Sequence, residues 1–429
     1  MANLNGDEFQ DVVIGADSSR VIQVLLGNGD GSFDNSSIPL VSITDDILEI
    51  VAGRFDGDEN DDILVITDSD SLYLLSGTGT GPLEAPQLVY SQSNPIASVS
   101  CGDLNGDGQD DIALSSACGI SSCPPTRILL SDGLGGLNLD SALYSPSDAL
   151  MIDDIDGDAD LDLVLSAVEL EFYLNDGLGN FTLSQSLPLN YAVEEMIQAD
   201  VFLDNPDGIG NSDLICLTDS GDSLAFLEGE GDGTFGDPIE RYFDQVDSAQ
   251  EITAAQLDGM GAADLLFYSD ATDEFTILFG HGEDGLPYQG SLSYPTPNNI
   301  ACMKVVDLDE DGVLDVIVAS RTEDVMAVYL GIEAQEPFKR GDANSDNFFN
   351  IADPVTILEA LFLPNGGVGG CPDSFDANDD GLVDISDGVI SLMFLFGLGE
   401  PLAAPFPECG NDPTFDLLNC QYSLSSPCP

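Results

Sequence analysis

A nine-residue acidic pattern returns about every 50 residues along the first three-quarters of the chain, and a fixed period of that length is the mark of a repeat architecture. Its clearest copies run from Asp103 to Asp111, from Asp154 to Asp162 and from Asp307 to Asp315. Oxygen-bearing side chains recur at positions 1, 3, 5 and 9, and an apolar run follows each copy. A unit of this kind cannot bury its apolar face alone, so the copies must stack on one another.

The register can be followed through seven copies, starting at Asn3, Arg54, Asp103, Asp154, about Asn205, Gln256 and Asp307. Two short β-rich runs follow each start, as in 62–66 with 71–75, and a Gly-rich turn such as 27–33, 175–181 or 229–235 comes next. Short strands punctuated by Gly, Asn and Asp read as antiparallel hairpin units of four strands. Seven units arranged radially make a β-propeller, which shields most sheet edges.

The acidic loops supply the ligand set that a hard cation prefers, six to eight oxygens, and calcium is the expected ion. The candidate ligands are Asn3, Asn5, Asp7 and Asp11 in the first loop, and Asp56, Asp58, Asn60 and Asp62 in the second, where Arg54 takes the first position. The third and fourth loops offer Asp103, Asn105, Asp107 and Asp111, then Asp154, Asp156, Asp158 and Asp162. The seventh offers Asp307, Asp309, Asp311 and Asp315. The fifth loop is stretched around Asp204, Asp207 and Asp213, and the sixth keeps only Asp258 and Asp264, so it is expected to be empty. The alternative is a set of polar turns in which Asp serves Asx-turn geometry. Repetition of the full spacing favours the ion, since clustered carboxylates repel one another without one.

These loops and the Gly-Asp-Gly-Thr-Phe-like turns resemble the FG-GAP/VCBS repeat of integrin α-subunit propellers and of many bacterial surface proteins, over about residues 1–335. The resemblance implies calcium held between the innermost strand and the next, with about four to five ions in the propeller.

After Pro337 the spacing changes. Asp342, Asn344, Asp346, Asn350 and Asp353 form one twelve-residue loop with ligands at 1, 3, 5, 9 and 12, and Asp376, Asn378, Asp380, Asp384 and Asp387 form another. This is EF-hand spacing. Each loop leads into apolar residues at helical period, Ile357, Leu358, Leu361 and Phe362, then Val389, Ile390, Met393 and Phe396. The duplicated loop-plus-helix resembles a dockerin, which implies two further calcium ions over residues 336–400, ahead of a Cys- and Pro-rich tail at 401–429. The expected fold class is therefore mainly β, a seven-bladed propeller followed by a small α-helical dockerin- or EF-hand-like module. In that family positions 10 and 11 carry recognition side chains; here they hold Ile351 and Ala352, then Ile385 and Ser386.

Eight Lys and Arg against 79 Asp and Glu give a formal net charge of −71, which repels nucleic acid and anionic membranes. Nine cysteines suit an oxidising compartment. Cys118 and Cys123 could close a small loop, and Cys371, Cys409, Cys420 and Cys428 could staple the tail, whereas Cys101, Cys216 and Cys302 lie on apolar strand patterns as expected buried thiols. No apolar run has the ~18–20 residues of a transmembrane helix, and no signal peptide is visible. The single histidine, His281, sits in a Gly-rich turn, so triad chemistry has little to draw on, and an enzyme is not expected.

The first repeat opens at the acidic loop itself, without the strand that precedes the loop elsewhere, and the seventh runs short of an outer strand. A processed N-terminus is one reading; a strand supplied by the tail or by a neighbouring molecule is the other, and strand donation between molecules would build filaments. Together these features point to a secreted, calcium-stabilised structural or adhesive protein of a bacterial cell surface. Its expected partners are copies of itself or another surface protein. The alternative is a lectin-like propeller that binds glycans or proteins, against which the absence of Trp counts.

Overall fold

The computed structural model describes residues 1–410 apart from 8, 17–18, 35–37, 117–123, 143–144, 203–210, 219–222, 244–248, 258–261, 270–271, 281–287, 324, 332–337, 364–370 and 400. The chain divides into two compact units, Met1–Gly331 and Ile332–Pro429.

The first unit is a seven-bladed β-propeller built from antiparallel sheets. Blade one holds β1 (Val12–Ala16) and β2 (Val21–Gly27), with β3 (Phe33–Asp34) and β4 (Val41–Ser42) both on the far edge of β2. Blade two runs β5 (Ile47–Gly53), β6 (Asp62–Thr67), β7 (Ser71–Leu75) and β8 (Gln87–Ser91). Blade three runs β9 (Ile96–Gly102), β10 (Asp111–Ser116), β11 (Arg127–Ser131) and β12 (Leu137–Ala142). Blade four has β13 (Ala149–Asp153), β14 (Asp162–Ser166), β15 (Glu169–Leu174) and β16 (Thr182–Pro188). Blade five has β17 (Val193–Ala199), β18 (Asp213–Thr218), β19 (Ser223–Leu227) and β20 (Ile239–Tyr242). Blade six has β21 (Ala249–Ala255), β22 (Asp264–Ser269), β23 (Glu274–Gly280) and β24 (Tyr288–Pro295). Blade seven has three strands among the described residues, β25 (Ile300–Val306), β26 (Asp315–Ser320) and β27 (Met326–Tyr329). In blade one the place of the innermost strand is marked by Ala2 alone, which exchanges backbone hydrogen bonds with Asp11 at 3.1 and 2.7 Å.

Burial explains the strand sequences. Every residue of β6, β10, β14, β18 and β22 is buried, because blades stack on both faces of the second strand. Such strands read as continuous Val, Ile and Leu runs instead of alternating ones. The outer strand β16 is mostly exposed, and its sequence turns polar. The core is a ring of seven apolar clusters, one for each blade-to-blade seam. The seventh joins Leu308 and Ile317 of blade seven to Val12 and Leu25 of blade one, which closes the circle.

The second unit contains α1 (Ala352–Phe362) and α2 (Ile385–Leu395), each directly after an acidic loop. Ile357, Ala343 and Phe375 form its buried centre. Phe349, Phe394 and Phe406 meet tilted or edge-to-face at centroid separations of 5.2 to 5.9 Å, so Phe406 of the segment 401–410 packs within this unit. Half of the apolar helical stripe faces water: Phe362, Val389, Met393 and Phe396 are exposed while Ile357 is fully buried. Two helices alone bury only one side of each, so the remaining apolar positions stay outside. No helix among the described residues is long and apolar enough to cross a membrane.

Candidate metal centres

Position 9 of the repeated loop has a duty that its spacing does not disclose. Asp11, Asp62, Asp111, Asp162, Asp213, Asp264 and Asp315 are all within 1% of complete burial. In each, one carboxylate oxygen accepts a backbone N–H from the acidic loop, and the other accepts one from the end of the next long strand but one or just past it, which in blade one is β2. In blade one the donors are Leu4 and Gly27, at 2.8 and 3.0 Å. In blade two they are Phe55 and Gly77 at 2.9 and 2.8 Å. Blades three and four use Leu104 with Ser131 and Ile155 with Asn175. In blade five Val201 and Phe202 share one oxygen and Gly229 takes the other. Blades six and seven repeat the pattern with Leu257 and Gly280, then Leu308 and Gly331. The carboxylate is thus a clamp between loop and hairpin, present even where the rest of the ligand set is lost. Burial pushes Asp62, Asp111, Asp162 and Asp213 up to about 6, while the two backbone donors pull the other way.

Positions 1, 3 and 5 shape the loop from inside. Asp103 Oδ1 accepts from Gly106 N at 2.8 Å and its Oδ2 from Gly108 N at 2.8 Å, while Asn105 accepts from Asp107 N and Asp107 from Gln109 N. Asp154 does the same for Gly157 and Ala159, and Asp156 and Asp158 accept from the amides two residues on. Asn3, Asn5 and Asp7 hold the first loop in this way, and in the second Asp56 accepts from Asp58 N and Asp58 from Asn60 N. The bonds to amides two residues on are Asx turns.

Two of the loops gather their carboxylate oxygens closely. One atom each from Asp154, Asp156 and Asp162 lies within 4.8 Å of the others, as do atoms of Asp307, Asp309 and Asp311. Ligands sharing a calcium ion at 2.3–2.6 Å stand no more than about 5 Å apart, so both groups fit one ion. In the seventh loop Oδ1 of Asp307 is buried without a hydrogen-bond partner while Oδ2 accepts from Gly312 N. Burial and the neighbouring Asp311 raise Asp309. In the second loop Arg54 points its Nε toward Asp61, 3.6 Å away. Asp204, Asp207 and Asp258 lie outside the described residues, as do His281, Cys118, Cys123, Cys420 and Cys428.

The second unit repeats the arrangement at both of its loops. Asp342, Asp346 and Asp353 present oxygens within 4.8 Å of one another. Asn344 accepts from Asp346 N, and Asp353 accepts from Asn350 N at 2.7 Å. In the other loop Asp376 accepts from Asp379 and Gly381 N, Asn378 from Asp380 N, and Asp387 from Ala377 and Asp384 N. Position 9 meets the start of each helix: Asn350 accepts from Ala352 N, and Asp384, the N-cap of α2, accepts from Ser386 N as half of a capping box. The Ser386 hydroxyl holds Asp384 below its ordinary range.

Arg340 is the one functional residue of this unit that spacing arguments passed over. Fully buried, it pairs with Asp379 at 2.8 Å and donates to the carbonyls of Asp376 at 2.6 Å and Ala404 at 2.7 Å. It thereby fastens the second loop to the 401–410 segment. In sequence this segment reads instead as the start of a separate Cys- and Pro-rich tail.

Cys216 is buried and Cys101 half-buried, but Cys302 is exposed, contrary to the apolar pattern of its strand. A shift in the pairing of β25 between Ile300 and Cys302 turns this side chain to the inner, open side of the blade.

Residues 3–65 and 54–114 match the family described as FG-GAP-like repeat. No curated protein matches the chain. Among solved structures, a candidate 6-phosphogluconolactonase from Bacteroides uniformis superposes with a TM-score of 0.53 at 13% identity, over 75% of this chain and 92% of its own. BBS1N, solved in complex with ARL6DN, gives 0.51 at 10% identity, over 77% of this chain and 90% of its own. At those identities the likeness is one of fold. By repeat and by fold, residues 1–331 are a seven-bladed β-propeller that carries FG-GAP-like repeats in its opening blades.

Proposed function

We propose that this is a non-catalytic, calcium-stabilised structural or adhesive protein that works outside the cell, with its propeller as the body and the second unit as a dockerin-type anchoring module. The observation that carries the reading is the seventh loop, where three carboxylates converge and a buried oxygen of Asp307 has no protein donor. Asp307, Asp309 and Asp311 would hold calcium there, Asp154, Asp156 and Asp162 in the fourth loop, and Asp342, Asp346 and Asp353 in the second unit. The flexible all-oxygen set suits calcium better than magnesium, which demands stricter octahedral geometry. When bound, the ion neutralises charge that otherwise strains a chain of net charge −71.

The anchoring role draws on a repeated surface. Ile351 and Ile385, Val355 and Val389, and Phe362 and Phe396 stand at matching places in the two loop–helix halves. Their exposures match too, 52 and 55%, 45 and 45%, 65 and 69%. A doubled apolar face of this kind suits a protein partner, either another surface protein or a further copy of this chain. Calorimetric calcium titration of the full chain, with thermal melts before and after chelation, tests the core of the reading. Saturable binding with a lowered melting point on chelation is expected; an unchanged melting point refutes it. Electron microscopy of the same samples reads whether assemblies depend on the ion.

A further inference from the structure

The innermost strands ring the propeller axis, and five of the six full ones share an irregularity that the metal loops do not explain. Pairing with the second strand shifts near the start of β5, β9, β17, β21 and β25, each time by one extra residue on the inner strand. A bulge of this kind re-aims the residue that follows it. The residues immediately after the shift are Glu49, Glu195, Glu251 and Cys302 in blades two, five, six and seven.

Two of the glutamates reach across a seam. Glu195 Oε2 accepts from Ile252 N of blade six at 2.7 Å, and Glu251 Oε2 accepts from Met303 N of blade seven at 2.9 Å. The other oxygen of Glu251 lies 2.9 Å from Lys304 Nζ. Blades five, six and seven are therefore linked in series by side chains on the axis. Water still reaches the place, since 57% of the Lys304 side chain and 16% of Glu251 are exposed. The charged groups facing Glu195 are Glu251, Lys304 and, from blade two, Glu49. The Met1 ammonium, Cys302 and Arg321 complete the surroundings of Lys304 and Glu251. Around Glu195 itself three carboxylates stand against one lysine, so this inner group is negative when all are ionised.

We propose that Glu195, Glu251 and Lys304 form a proton-operated axial latch: with a proton on Glu195 the seams between blades five, six and seven close, and its loss to channel water loosens them. Burial and then the charge of Glu251 push Glu195 up to about 7, and burial raises Glu49 as well. Burial pulls Lys304 down, but the charge and hydrogen bond of Glu251 more than offset it, so Lys304 stays the cation of the set. A carboxyl raised by folding stabilises fully at low pH, and that contribution is lost as pH climbs through its folded value. The window therefore runs from the ordinary glutamate range up to about 7. None of these residues belongs to an acidic loop, so the latch stands apart from the calcium reading.

The test uses the full chain in saturating calcium, wild type against Glu195→Gln, melted from pH 4 to 8.5. Glutamine mimics the protonated acid, so the melting points should coincide at the low end, with the variant higher at the high end. An offset that does not change with pH overturns the proposal. In a Glu251→Gln background the pH at which the gap stops widening should fall by about one unit, because the like charge is gone; an unmoved upper end also overturns it. Hydrogen exchange in wild type needs no variant. After correction for intrinsic base catalysis, exchange of the Ala249–Ala255 strand should accelerate as pH rises to about 7 and level off above it, and a flat corrected rate refutes the latch.

Discussion

Asp264 offers the cleanest separation of clamp from metal ligand. It sits in blade six, whose loop lacks the ligand spacing, and its two oxygens accept from Leu257 N and Gly280 N at 2.8 Å each within a fully buried site. Asp264→Ala removes both acceptors and leaves two buried N–H groups without partners. At about 1–3 kcal/mol for each, the expected loss is about 2–6 kcal/mol. Asp264→Asn keeps one acceptor but turns an NH2 group toward the other donor, so about 1–3 kcal/mol should be lost. Urea unfolding of both variants, with calcium and with chelator, reads these values. The losses should be the same in both conditions and larger for Ala. The companion is Asp309→Asn in blade seven, whose side chain lies in the converging ligand group. It should cost stability only when calcium is present and be neutral or stabilising in chelator. A Asp264→Asn loss that appears only with calcium, or an Asp264→Ala loss below about 1 kcal/mol, refutes the clamp.

Calcium-stripped protein should lose stability as pH rises from the ordinary aspartate range to about 6, because Asp62, Asp111, Asp162 and Asp213 are raised by burial and hold their protons longer folded than unfolded. Calorimetric melts across pH 4 to 8 should show that slope, and saturating calcium should reverse it, since ligands bind the ion ionised. Arg340→Met should destabilise the second unit by about 3–5 kcal/mol, as removing one partner strands Asp379 and three carbonyl contacts in a buried site; protease sensitivity of the 401–410 segment should rise with it. Cys371 and Cys409 stand outside the set of free thiols, and Phe338 packs on Cys371 while exchanging both backbone hydrogen bonds with Gly410. Non-reducing peptide mapping should therefore recover one Cys371–Cys409 bridge, and full alkylation of both without reductant would exclude it.

The propeller was legible because its signal is repeated: a loop start near Asn3, Arg54, Asp103 and onward sets the register, and errors in any one blade leave the others in place. Contacts made by ring closure were not. Glu49 and Glu251 are about 200 residues apart yet share the axis, and no local pattern brings them together. The bulges hid the same site, because one inserted residue reverses the face on which a side chain falls. Cys302 therefore reads in sequence as a buried thiol on an apolar strand. In the second unit the helical stripe was visible, but which half of it lies against Ile357 and which half faces water depends on the partner helix and on Phe406.

Comparison of the repeats within this one chain separates two demands on a single loop. Position 1 holds Asn3, Arg54, Asp103, Asp154, Gln256 and Asp307 in six of the copies, a range from ligand to cation. Position 9 holds Asp in all seven, including the stretched fifth copy and the sixth. Metal binding alone would let both positions drift together once an ion is lost. The clamp does not: a blade without calcium still has to join loop to hairpin, and only a short side chain with two acceptors reaches both N–H groups from that strand end. Position 9 of these nine residues thus serves the fold first, and an ion, where one binds, at most second.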